Sequence, residues 1–62
     1  MIITIKALAE QIDDSVHIEI REHGWYHFIG TGIQFKHFAE HPVYAGKLVQ
    51  YFAPGCFEIV KC

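Results

Sequence analysis

The sequence predicts an α+β domain: a small four-stranded, mainly antiparallel sheet with two short helices on one face, in the order α-β-β-α-β-β. Three observations predict it. Val16, Ile18 and Ile20 alternate with His17, Glu19 and Arg21, and after Glu22-His23-Gly24 comes the aromatic run Trp25-Tyr26-His27-Phe28-Ile29, so residues 16–31 read as a β-hairpin. Pro54-Gly55 stands between two further apolar runs and marks a second hairpin. Apolar residues at helical spacing precede each hairpin.

Residues 3–12 (ITIKALAEQI) read as the first helix, with Ile5, Leu8 and Ile12 at i, i+3 and i+7 on one stripe. Thr4 is its expected N-cap, and Ile3 with Leu8 form the pair of a hydrophobic staple. Asp13-Asp14-Ser15 ends the helix, because carboxylates are unfavourable at its negative end and these residues favour turns. The tract TIKALAEQI is also similar to the opening helix of helix-turn-helix domains. A strand follows it where that motif needs a recognition helix.

The first hairpin has two candidate turns. A two-residue His23-Gly24 loop pairs Ile20 with His27 and puts Trp25 on the face of Ile18, but it needs positive φ at His23. A three-residue loop, Glu22-His23-Gly24, needs positive φ only at Gly24, where it meets no steric cost. It pairs Ile20 with Tyr26 and Ile18 with Phe28, and it is the expectation here. Glu19, Arg21, Trp25, His27 and Ile29 then share the outer face with His17.

Residues 33–40 (IQFKHFAE) read as the second helix, ended by Pro42. Residues 43–46 read as a loop, 47–53 as the third strand and 57–61 as the fourth. The expected core is Ile5, Leu8, Ile12, Val16, Ile18, Ile20, Tyr26, Phe28, Val49, Phe57 and Ile59, each on the inward phase of its element.

Sixty-two residues make one domain with a small core, rich in apolar side chains at 52% of the chain. Apolar surface left outside would be covered by a homodimer or by another partner. The five basic residues are scattered singly, which argues against direct nucleic-acid binding. No stretch approaches the ~20 apolar residues that a membrane helix requires, and residues 1–11 lack the basic start and cleavage site of a secretory signal. Cys56 and Cys62, about 20 Å apart if on one strand, read as reduced thiols in a cytoplasmic protein. Full protonation of the five His would carry the formal charge from −2 to +3, although ordinary surface imidazoles are the simpler reading.

Residues 37–41 (HFAEH) fit the inverted zinc-protease signature H-x-x-E-H, in which His37 and His41 would ligate zinc and Glu40 act as base. Pro42 follows at once, and no downstream helix offers a third ligand. The expectation is therefore no metal and no cofactor, with His37 and His41 as the alternative ligand pair. No helix N-terminus or basic cluster activates Cys56, and Gly30-Thr31-Gly32 lacks the frame of a phosphate loop. No catalytic set emerges, so the chain reads as non-enzymatic. The outer hairpin face, with Arg21 opposite Trp25, Glu19 opposite His27 and Ile29 nearby, is rich in residue types of interface hot spots. Arg21 over Trp25 could equally be a self-contained cation–π pair.

A resemblance adds to this. The opening IKALAEQIDD, the strand VHIEIRE, the aromatic strand ending in FIGT, then AEHPVYAGKLVQYF and the closing FEIVKC resemble small, largely uncharacterised proteins carried by phages and mobile elements of Firmicutes. The resemblance covers nearly the whole chain and rests on patterning and turn residues. It implies a protein of the bacterial host cytoplasm that binds a host protein or protein complex, such as an anti-CRISPR-like inhibitor of a defence system. The alternatives are an oligomeric small-ligand or nucleotide-binding protein, and a metal-dependent hydrolase built on residues 37–41.

Overall fold

The computed structural model describes residues 2–60. Thr4 begins the helical part of the chain as expected. Its hydroxyl accepts from the Ala7 N–H at 3.1 Å, and α1 runs over Ile5–Gln11, burying Ile5, Leu8 and Ala9. Thr4→Ala is expected to cost about 1 kcal/mol, read as a lower urea midpoint, whereas Thr4→Ser should keep most of the cap. The residues before the cap are not helical. Ile2–Thr4 forms strand β1, antiparallel to a later strand, where the sequence reading began its helix at Ile3. Three residues are too few to show a period, and β1 exists because a long-range partner is there to pair with it.

Strands β2 (His17–Glu22) and β3 (Trp25–Thr31) form the first hairpin, and β4 (Leu48–Ala53) and β5 (Cys56–Ile59) the second. Among the described residues the sheet has five strands in the order β1-β4-β5-β2-β3. It is mixed, because β5 lies parallel to β2 while the other neighbours are antiparallel. Both expected hairpins form, but the fifth strand, β1, and the parallel β2–β5 pairing correct the expected four strands and their order. The two hairpins are joined through strands distant in sequence, and no local pattern records that.

The hairpin turn is also corrected. Glu22 pairs with Trp25, so the loop is the two residues His23 and Gly24, at φ 51° and 84°. Positive φ at both centres matches the right-handed twist of the strands, and that fit outweighs the cost of placing a histidine there. A bulge then shifts the register: Arg21 pairs with Tyr26, but Ile20 pairs with Phe28, leaving His27 as the extra residue. Phe28 still reaches the inner side as expected, by another route. Tyr26 does not, and it lies exposed with Arg21 on the outer side. Val16, just before β2, is also exposed rather than buried.

Among the described residues three helices cover the inner face: α1, α2 (Gly32–Ala39) and α3 (Pro42–Ala45). The last occupies the expected loop. Pro42 stops α2, but its fixed φ and missing N–H suit the first position of a new helix, and His41 caps that helix through Nδ1. The core joins Ile5, Leu8 and Ala9 of α1 and Phe35 and Ala39 of α2 to Ile18, Ile20, Val49 and Ile59 of the sheet. Ile12 and Phe57 are partly buried against it. Phe28 stands 5.5 Å from Phe35 and 5.0 Å from Phe38, and Phe38 stacks on Tyr44 at 4.4 Å. The last expected strand residue, Lys61, and the second thiol, Cys62, lie outside the described residues.

Candidate functional site

With all helices on one side, the alternate residues of the strands form a helix-free face. The pairings place Glu19, Arg21, Tyr26, Ile29, Gln50 and Glu58 on it. Arg21 lies between Tyr26 on β3 and Glu58 on β5. Its guanidinium carbon sits 4.3 Å from the centroid of the Phe52 ring, so the cation–π partner is Phe52 rather than Trp25. Its Nε is 3.9 Å from Glu58 Oε1, too far for a hydrogen bond, and is buried with no acceptor among the described residues. Around this group Tyr26 is 51%, Ile29 58% and Phe52 52% exposed. Glu19 opposes Ile29 and holds His17 at 2.8 Å.

Three of the five residues expected on one face, Glu19, Arg21 and Ile29, are therefore together. Trp25 and His27 are not with them. Trp25 pairs with Glu22, on the phase of Ile20, and projects at the hairpin tip with 78% of its surface exposed. His27 is the bulged residue. It turns towards the helices, with Nε2 2.9 Å from Glu22 Oε1 and its ring edge-on to Tyr44. Tyr26 and Phe52 are the members that sequence reasoning missed. The adjacent apolar pair Tyr51-Phe52 breaks strict alternation, and the register of β4 does shift between Tyr51 and Ala53.

Cys56 sits at this face, buried between Ala53 and Glu19. Burial, the main cause, pushes its thiol pKa up; Glu19 adds to this, Arg21 opposes it, and Glu58 adds further. A thiol held protonated is a poor nucleophile.

Residues 37–41 do not form one helix. α2 ends at Ala39, Glu40 is its C-cap, and His41 turns away at φ −68° and ψ 125° to cap α3. His41 Nδ1 accepts from the Val43 N–H at 3.2 Å and stands beside Tyr44 rather than sharing a helix face with His37. Among the described residues, no three His, Cys, Asp or Glu side chains are grouped to hold a metal ion. Dialysis against a strong chelator is expected to leave the thermal midpoint unchanged; a fall of about ten degrees would reveal a structural metal.

A shallow groove between α1 and α2 has an alanine floor of Ala9 and Ala39 and walls of Lys6, Glu10, Lys36 and Glu40, with no aromatic or histidine ring in its lining. No helix among the described residues is long and apolar enough to cross a membrane. Comparison with protein-family models, with curated proteins and with solved structures gives no match.

Proposed function

We propose that this chain is a non-enzymatic binding protein of a phage or mobile element, and that its helix-free sheet face docks a host protein, in the manner of an inhibitor of a defence system. One observation carries the reading: Tyr26, Ile29 and Phe52, each more than half exposed, share a face with Arg21, whose buried Nε has no hydrogen-bond acceptor among the described residues. Arg and Tyr are enriched in interface hot spots, where apolar contact and a desolvated cation act together. Apolar side chains gathered on one face, rather than scattered, mark such surfaces. The host origin of the partner is supported by the resemblance of AEHPVYAGKLVQYF and FEIVKC to phage and mobile-element proteins.

Affinity capture from host cells tests this, with the wild type and Tyr26→Ala run side by side and the captured protein identified by mass. Tyr26→Ala should weaken the complex by about 2 kcal/mol, the usual mark of a hot spot. It should cost the isolated domain under about 1 kcal/mol, because a half-exposed side chain leaves no core cavity. Equal capture by both proteins would refute the assignment of the surface.

A further inference from the structure

The helix-free face carries its charges in a pattern that fits a second copy of itself. Arg21 and Glu58 are register partners on the adjacent parallel strands β2 and β5. Consider a two-fold axis parallel to these strands, lying midway between them and between two stacked faces. It sets β2 of one copy over β5 of the other and keeps residues of equal register opposite each other. Arg21 then faces Glu58 of the second copy, and Glu58 faces Arg21, so two opposite-charge pairs form at the centre of the contact.

The same operation treats the neighbours well. Glu19 is laid over Cys56, its register partner on β5, and so meets no like charge. Tyr26 is laid over Gln50, since both are register neighbours of the Arg21–Glu58 pair. Ile29, in register with Glu19, is laid over the Phe52-Ala53 bulge beside Cys56, apolar on apolar. Within one chain Arg21 Nε and Glu58 Oε1 remain 3.9 Å apart, and the two side chains keep 22% and 25% of their surface exposed, so the terminal nitrogens of Arg21 and the Glu58 carboxylate can pair across the contact. We propose that the free protein is a face-to-face homodimer, a four-layer helix–sheet–sheet–helix sandwich centred on reciprocal Arg21–Glu58 pairs. The proposal stands without the host protein, and it makes self-pairing and partner binding mutually exclusive on this face.

Sedimentation equilibrium of the purified full chain tests it. The wild type should be dimeric at about 10 µM. Arg21→Glu and Glu58→Arg each place like charges opposite one another at both central sites, and each should raise the dimer dissociation constant at least about 100-fold. An equimolar mixture of the two variants should regain a dimer, because opposite charges again face each other at both sites. Circular dichroism checks that each variant is folded. If a charge reversal unfolds the chain, Ile29→Lys decides instead, since its side chain is exposed and the variant should be folded and monomeric. A wild type that stays monomeric up to about 1 mM overturns the proposal. So do folded charge variants that stay dimeric, a folded mixture that stays monomeric, or an Ile29→Lys dimer.

Discussion

Phe35→Ala is expected to leave the protein barely stable at 25 °C. Phe35 has no exposed surface and packs its ring 5.5 Å from Phe28 and 5.9 Å from Phe38. It is the largest side chain of α2 in the core, and through Phe28 it ties that helix to β3. Truncating a buried phenylalanine costs about 4 kcal/mol, the lost transfer energy plus the cavity left behind. A chain of this length has a total stability on the order of 5 kcal/mol. The substitution removes most of that margin. Urea unfolding followed by far-UV circular dichroism should show a short folded baseline and a midpoint close to zero denaturant, whereas Phe35→Leu should keep a well-defined transition with a modestly lowered midpoint. An alanine variant as stable as the wild type would mean that α2 is not docked as described.

Gly32→Ala should be the next most damaging change, at about 3 kcal/mol. Gly32 is the first residue of α2 and is buried against the turn that follows α1. A Cβ there would overlap the Asp13 carbonyl oxygen and lie 2.9 Å from its carbon. The obstacle is backbone, so no rotamer change relieves it. The same junction is fastened by the Ile33 N–H donating to the Asp14 carbonyl at 3.0 Å, and by Lys36 Nζ donating to Asp14 Oδ1 at 2.6 Å. Separating the two segments to admit a methyl group would strain or break these bonds. A denaturation midpoint unchanged by Gly32→Ala would show that the junction is loose.

What the sequence makes legible here is local. The alternation around Ile18 gives the phase of β2, with Ile18 and Ile20 buried and His17 exposed. Thr4 announces α1, and Pro54-Gly55 announces the β4–β5 turn, where Gly55 takes φ 74°. Glu19, Arg21 and Ile29 follow from that phase and do share the helix-free face. The rest depends on pairings or on a single-residue choice. A bulge at His27 cannot be read from alternation, and one residue of register moves Tyr26 from core to surface and separates Trp25 and His27 from Arg21. Phe52 reaches Arg21 only because β5 pairs with β2 in parallel and carries the other hairpin alongside. Neither β1 nor the parallel pairing has a signature within its own few residues.

The proposal that the helix-free face is the binding surface is tested most directly by comparing two lysine substitutions, one on each side of the protein. Ile29 is 58% exposed on the open sheet, and Val43 is 60% exposed on α3. Both variants should fold as the wild type does, because neither side chain belongs to the core. Their dissociation constants for the proposed host partner, measured by titration calorimetry, are the quantity to compare. Ile29→Lys is expected to weaken binding about 100-fold, by placing a charge in the middle of the apolar contact, and Val43→Lys to leave it unchanged. Loss of binding by Val43→Lys, with Ile29→Lys binding as the wild type, would contradict the account and move the interaction to the helical side.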